Sequence, residues 1–336
     1  MHDIRILSDF RLSQVPLWKS KTHYIGNLKL INAWNNDKTD SKRSGRSSAL
    51  IDLLKILTNI KKFDIVIQSD IHTAQLFGLF RVIFRIKSPK HIILELMLDE
   101  EQDSLSWKIK RAIQRFIFSS IDIIFVSSTH EIDAYSNRLN KPEKHFKFLP
   151  FHTNITEPGI MKRGNYLLSA GKTGRDYKVL AEAVKDMDVE VIIVSDEHNI
   201  KGIQFPSNVK VLVNVPYSKY LDLLYNCRLV VVPLKKVVKS TGQVVFLEAM
   251  ATGKPVIATE TVGTKDYLQS GVNGILVPPE DPIALREAIK TLMKNPSLEK
   301  EITANALEAV KNNYTLEKYC ITILNTAEEL AAINRK

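Results

Sequence analysis

At 336 residues, 44% hydrophobic and 25% charged, the chain has the length of two ordinary domains and a globular balance, not that of a disordered or fibrous protein. It has no apolar run of about 18 residues and so no expected spanning helix, no basic-then-apolar leader at Met1-His2-Asp3-Ile4-Arg5, and only two cysteines, Cys227 and Cys320, without metal-ligand spacing; a reducing, cytoplasmic setting is expected. The net charge of +10 is uneven: residues 1–152 carry 24 Lys/Arg against 16 Asp/Glu and residues 153–336 carry 23 against 21, which suggests an anionic partner for the first half, such as a membrane surface or a phosphorylated acceptor.

Short apolar runs fall at 4–7, 64–67, 91–96, 122–126 and 146–149, then at 166–169, 189–194, 209–213, 229–233, 255–258 and 275–277. Most are rich in Val, Ile and Leu with little alternation, the pattern of strands covered on both faces. Helical stretches at 48–59, 130–139, 177–185, 244–252 and 282–293 separate them, and strands alternating with helices predict doubly wound parallel sheets. The series runs twice, with a break of loop composition at 151–164. This predicts one α/β domain over 1–152, a second over 153–314 and a terminal helix over 315–336, with a ligand in the cleft between the domains, at strand C-terminal ends. Residues 35–48 are polar, basic and without periodicity, and are expected to be a mobile loop.

Residues 107–118 place Ile109, Ala112, Ile113, Phe116 and Ile117 on one helical face and Lys108, Lys110, Arg111, Gln114 and Arg115 on the other; residues 77–87 are apolar with Arg81, Arg85 and Lys87. Such helices either cover a sheet or lie on an anionic membrane. The basic excess is not interleaved with a nucleic-acid reading motif, so no nucleic-acid partner is expected.

The most informative stretch begins at Ser240-Thr241-Gly242-Gln243-Val244 and reads as loop, helix, turn, strand, loop. Ser240 or Thr241 can cap the helix, Gly242 lets the backbone approach a ligand, and the open N–H groups at the helix start suit a diphosphate. Glu248, two turns in, can accept hydrogen bonds from vicinal hydroxyls such as those of a ribose. A second stretch, Ser169-Ala-Gly-Lys-Thr-Gly-Arg-Asp-Tyr-Lys178, follows a strand. Gly171 and Gly174 permit a tight loop there, and Lys172, Arg175 and Lys178 are cations that can stabilise a leaving phosphate. Gly171-Lys172-Thr173 is not a P-loop, since Tyr166 occupies the required glycine position, and Asp186-x-Asp188 reads as a polar turn. No HExxH or CxxC pattern is present, and neither a metal site nor a cofactor is expected.

Taken together, Glu248-Ala249-Met250-Ala251, Gly253-Lys254-Pro255-Val256-Ile257, Val262-Gly263 and Asn273-Gly274-Ile275-Leu276-Val277-Pro278 resemble the donor-binding signature of the retaining group 1 glycosyltransferases. The resemblance covers about residues 160–330 and is looser before them. It implies the GT-B fold, two Rossmann-like doubly wound parallel-sheet domains facing a central cleft. It also implies metal-independent transfer, with retention, from a nucleotide sugar (UDP or GDP) to a polysaccharide, lipid-linked or other glycan acceptor, in the cytoplasm or at the inner face of the membrane. Glu248 would hold the ribose, with Gly171, Ser240, Thr241, Gly242, Gln243, Val244, Val262 and Gly263 around the donor. The loop Glu260-Thr261-Val262-Gly263-Thr264 would lie near the phosphates and Val232-Pro233-Leu234 near the base. In the family a basic pair six apart meets the phosphate, which Lys172 and Lys178 match, with Arg175 as the alternative member. One departure stands out: the family's first donor-site Glu falls at Ser240, so the sugar contacts pass to Thr241, Gln243 or loop amides. In the first domain, Ser8-Asp9-Phe10-Arg11-Leu12-Ser13 lacks the family's glycine loop, and Glu95 or Asp99 takes the place of a strand-end His, to orient an acceptor or relay a proton. The other readings are a nucleotide-sugar epimerase of the same fold and a non-catalytic partner of an active transferase.

Overall fold

The computed structural model describes residues 4–10, 15–28, 46–156 and 164–333, and the chain separates into two compact units. Of the described residues, the first comprises 4–10, 15–28, 46–149 and 317–333, and the second 150–156 and 164–316.

Within the first unit the elements are β1 (Ile6–Phe10), α1 (Pro16–Lys21), β2 (Thr22–Leu28), α2 (Arg46–Asn59), β3 (Ile65–Gln68), α3 (Ile71–Ile83), β4 (Lys90–Ile93), α4 (Leu105–Phe118), β5 (Ile123–Val126), α5 (Ile132–Leu139) and β6 (Phe146–Phe148). The strands form a parallel sheet in the order β2-β1-β3-β4-β5-β6. Ile65, Val66, Ile67 and Ile124 are buried because helices cover both sheet faces, which explains the unbroken apolar runs. The edge strand β2 was not legible in the sequence: Gly26 and Asn27 give it turn composition, and only pairing with β1 holds it extended. Of the stretch expected to be a mobile loop, residues 35–45 lie outside the described residues, as do Arg11, Leu12 and Ser13, whereas Arg46–Ser48 are helical and open α2.

Helix starts are fixed by side-chain caps. Asp70 accepts from the Thr73 N–H at 3.1 Å, and Ser104 from the Trp107 N–H at 3.3 Å. Arg81, one of the cations noted within residues 77–87, is buried and reaches Asp122 at 2.9 Å and the Ser120 carbonyl at 2.7 Å. Lys90 also meets Asp122, at 3.0 Å. A cation hydrogen-bonded so thoroughly is part of the frame and has no outward role.

The second unit contains β7 (Tyr166–Ala170), α6 (Tyr177–Val184), β8 (Glu190–Ser195), α7 (Glu197–Ile200), β9 (Val209–Val213), α8 (Tyr217–Asn226), β10 (Leu229–Val232), α9 (Gln243–Ala251), β11 (Val256–Thr259), β12 (Ile275–Val277), α10 (Pro282–Lys294) and α11 (Pro296–Asn313). A final helix, α12 (Leu316–Ile333), belongs to the first unit from Glu317 onward. Residues 157–163, within the expected break, lie outside the described residues. The sheet order is β12-β11-β10-β7-β8-β9. Read from β9, the chain order within this unit is 3-2-1-4-5-6, that of a dinucleotide-type doubly wound sheet. The order reverses between β7 and β10, and a ligand crevice is expected beyond the C-terminal ends of those strands. The core under this sheet includes Leu167, Leu180, Val191, Ile193, Val231, Ile257 and Ile289. Asp176, Asp281 and Asn295 cap α6, α10 and α11, with proline at the N-terminal turns of α10 and α11.

Candidate functional site

At the switch point of the second unit, residues following β7, β10 and β11 come together with the start of α9. The loop after β7 is built around Arg175. Its guanidinium is buried, donates from Nε to the Ala170 carbonyl and from Nη1 to the Thr173 carbonyl, both at 2.8 Å, and lies across Gly171. Gly171 takes φ +129°, and its carbonyl accepts from the Tyr177 hydroxyl at 2.7 Å and the Ser195 hydroxyl at 2.9 Å. The far side of the loop is tied to the end of β10: the Asp176 N–H donates to the Pro233 carbonyl at 3.0 Å, and the Lys235 N–H to the Gly174 carbonyl at 2.9 Å.

Helix α9 begins at Gly242, in the left-handed region at φ +99°, with no side-chain cap. The expectation that Ser240 or Thr241 caps this helix is therefore corrected: the positive φ turns the chain so that neither hydroxyl reaches the first turn. Thr241 instead faces Gly174 of the β7 loop, and its backbone N and O approach Gly263 of the loop after β11. That loop is held by Thr264, whose hydroxyl receives the Thr261 N–H at 2.8 Å and donates to the Thr259 carbonyl at 2.9 Å. Val244 and Val262 are half-buried beside these turns, and Ser240 is buried.

Three buried polar atoms in this cluster have no protein partner: Thr241 Oγ1, Gln243 Nε2 and Thr261 Oγ1. An unpaired buried polar atom costs about 1–3 kcal/mol, and several in one crevice beside an uncapped helix start mark a place built for a polar ligand. Gln243 and Thr261 fall in the two stretches quoted from the sequence, and the convergence of their loops brings them together.

Glu248 lies further along α9, with Oε1 accepting from the Tyr217 hydroxyl of α8 at 2.7 Å. Burial pushes its carboxyl up to about 7, although the Tyr217 and Tyr220 hydroxyls pull it down. Sequence reasoning missed these tyrosines, because α8 is distant in the chain and reads as an ordinary amphipathic helix. The raised value has a consequence for stability. Between the ordinary carboxyl value of 4.5 and about 7 the folded chain holds a proton that the unfolded chain lacks. The contribution is therefore complete below 4.5 and lost as pH rises through about 7. A Glu248→Gln chain should lose less thermal stability than the parent between pH 5 and pH 8, in melts without ligand. Parallel Tm-versus-pH curves would contradict this assignment.

The cations separate. The Lys172 carbonyl accepts from the Asn199 amide at 2.7 Å, which places this residue at the mouth of the β7 loop beside α7. Lys178 is exposed on α6 and lines a hollow with Glu182, Lys185 and the turn at 202–206, which contains none of the residues at 240–243 or 261–264. Lys172 and Lys178 thus stand on different elements, the first in the β7 loop and the second in the first turn of α6. Arg175 is likewise committed to the loop's own carbonyls.

In the first unit the order changes direction between β1 and β3, and Asp9 closes that point. Its carboxylate accepts from the Ser69 N–H at 2.9 Å and the Asp70 N–H at 3.1 Å, while burial pushes its carboxyl up to about 7. It stands where the expected glycine loop is missing. Glu95, just after β4, adopts φ +50°, uncommon for a residue with a side chain, and its carboxylate accepts from the Tyr319 hydroxyl at 2.7 Å. Burial raises its pKa, with the Tyr319 hydrogen bond opposing. Asp99 is exposed, 3.8 Å from Lys110, on the loop leading to α4, where solvent leaves such a pair weak. Among the described residues no group of three or more His, Cys, Asp or Glu could hold a metal ion, and no helix is long and apolar enough to cross a membrane.

Residues 172–295 match the family model for "Glycosyl transferases group 1". An uncharacterised glycosyltransferase of Methanocaldococcus jannaschii is 29% identical over 159 residues, 46% of this chain and 44% of that protein. The D-inositol 3-phosphate glycosyltransferase 1 of Catenulispora acidiphila is 33% identical over 100 residues, 30% of this chain and 23% of that one. The aligned stretch thus spans less than half of either relative. Among solved structures, sucrose-phosphate synthase from Thermosynechococcus elongatus superposes with a TM-score of 0.71 at 15% identity, over 98% of this chain and 100% of that one. Anabaena HepE in complex with UDP and glucose does so with a TM-score of 0.67 at 16% identity, over 97% of this chain and 100% of that one. These likenesses show the fold: two Rossmann-like domains of the GT-B class.

Proposed function

We propose that this chain, whose residues 172–295 match the family model for group 1 glycosyl transferases, transfers a sugar from a nucleotide-sugar donor to a glycan or lipid-linked acceptor. The observation that carries the reading is the crevice at the β7/β10 switch point, where Thr241, Gln243 and Thr261 present unpaired buried polar atoms beside the uncapped start of α9. A diphosphate would be met by the α9 amides and Lys172, and a ribose by Glu248, with Arg175 shaping the loop as a positioning residue. Charge appearing on the departing phosphate would be stabilised by donors fixed in advance, at no cost in reorganisation. Ser240, in place of the family's first Glu, leaves the sugar to neutral donors at Thr241 and Gln243. We assign Glu95 to the acceptor, as the strained, half-buried carboxylate of the first unit. HepE has been captured with UDP and with UDP-glucose, which supports UDP as the first carrier to try, with GDP second. Retention of configuration, independence of metal and a cytoplasmic site of action complete the proposal.

The test is calorimetric titration of the chain with UDP-, GDP- and ADP-sugars, followed by acceptor assays in which NMR reads the product's anomeric configuration and EDTA is added. One donor binding at micromolar Kd or better is expected, with a retained product and no effect of EDTA. Failure of every nucleotide sugar to bind would overturn the reading, and an altered free sugar released without acceptor would make the protein an epimerase.

A further inference from the structure

The structure turns α4 the opposite way from a helix that covers a sheet. Gln114, Ile117 and Phe118 face inward, while Leu105, Ile109, Ile113 and Phe116 are 75%, 54%, 53% and 51% exposed. At 100° per residue the exposed apolar row centres roughly 140° from the buried one. Its neighbours repeat the inversion. In α2 the buried positions are Ala49, Asp52 and Ile56, and the exposed ones Leu50, Ile51 and Leu54. At the end of α3, Ile83 and Phe84 are exposed. The three helices are adjacent, α2 against α3 and α3 against α4, and each precedes a strand of one parallel sheet, so all lie on one face with their C-termini at the same end. Exposed apolar side chains on three adjacent helices of one face do not make an ordinary water-facing surface.

The charge of this layer selects its partner. Leaving out the buried Arg81, residues 46–62, 71–87 and 104–119 contain four, two and four Lys/Arg against Asp52 alone. Lys61 and Lys62 follow α2, Arg85 and Lys87 follow α3, and Arg115 lies in the last turn of α4, so exposed cations gather at the common C-terminal end. Lys108, Lys110 and Arg111, nearer the start of α4, meet Asp103, Asp99 and Glu101 at 3.6, 3.8 and 3.3 Å in solvent-exposed pairs that give way readily to phosphate. We propose that the α2–α3–α4 face docks on an anionic lipid bilayer: Leu105, Ile109, Ile113 and Phe116 enter the headgroup boundary, and the cations engage lipid phosphates. This goes beyond the donor reading and does not rest on it, since docking requires no sugar.

The experiment is flotation of the purified chain with phosphatidylcholine vesicles, alone and with about a third phosphatidylglycerol. Flotation with the anionic vesicles only, weakened by salt, is the expected result. An Ile109→Glu/Phe116→Glu chain should partition at least roughly tenfold less, and a Lys61→Ser/Lys62→Ser/Arg85→Ser/Lys87→Ser chain should lose the preference for anionic lipid. Both alter exposed positions, and circular dichroism melts check that they remain folded. The proposal fails if the parent ignores anionic vesicles, or if both folded variants float as the parent does. It fails equally if light scattering shows a dimer that the Glu substitutions dissociate, since the face would then belong to a second copy.

Discussion

An alanine at Gly171 is expected to destabilise the second unit by about 3 kcal/mol or more, the sum of a strained φ and an overpacked contact. The backbone there has φ +129°, and an added Cβ would stand 2.2–2.4 Å from the guanidinium of Arg175. A flexible side chain could swing away from such a clash, but this one is buried and fastened to the Ala170 and Thr173 carbonyls. Moving it would leave a charged group and two carbonyls without partners, and would loosen the loop that faces Thr241. Urea unfolding of the Gly171→Ala chain should show the loss as a lowered midpoint for this unit. The Arg175→Ala chain should also be destabilised, by about 3 kcal/mol, because a buried network is broken. The pair should not add, since the clash vanishes once the guanidinium is gone, and a coupling of about 1–2 kcal/mol is expected in the double variant. Strict additivity would mean that Arg175 does not lie over Gly171 in solution.

For Glu248→Ala the expected result is a drop of roughly 100-fold in nucleotide-sugar affinity, or about 2–3 kcal/mol. The carboxylate is the one charged acceptor in the buried part of α9, and the Tyr217 hydroxyl holds it in place. Removal would leave the ligand hydroxyls and Tyr217 facing a desolvated gap. Glu248→Gln, which keeps one acceptor oxygen and the volume, should lose roughly tenfold. Since burial pushes the Glu248 carboxyl up to about 7, affinity in the parent should rise with pH through that value as the carboxylate forms, and the Gln chain should lack the step. Tyr217→Phe removes a hydrogen bond to the ionised form and should move the step to higher pH. An Ala or Gln chain that binds as tightly as the parent would remove Glu248 from the donor site and leave the Thr241–Gln243–Thr261 cluster to be tested separately.

Much of the fold was legible because parallel sheets covered on both faces leave an unambiguous trace. Runs such as 189–194 and 229–233 have no polar face to disguise them, and they appear as β8 and β10 with their ends shifted by a residue. Strand β2 was hidden because an edge strand needs little intrinsic preference once a neighbour supplies its hydrogen bonds. The glycines and Glu248 could be singled out because close backbone approach and a helical carboxylate leave a mark in one-dimensional spacing. The partners of Glu248 could not, since Tyr217 lies thirty-one residues away on another helix.

By itself, then, the sequence determined two α/β units, the order of their strands along the chain except β2, the turn into α9 and the carboxylate within it, all consequences of local preference and hydrophobic period. Tertiary structure decided what those residues face. It spent Arg175 on two carbonyls, carried Lys178 out along α6, buried Arg81 against Asp122 and left Asp99 in water. It also turned the apolar row of α4 outward. Periodicity shows that a helix has two faces; which face meets the sheet depends on the side chains that the sheet and neighbouring helices offer, and those come from distant parts of the chain.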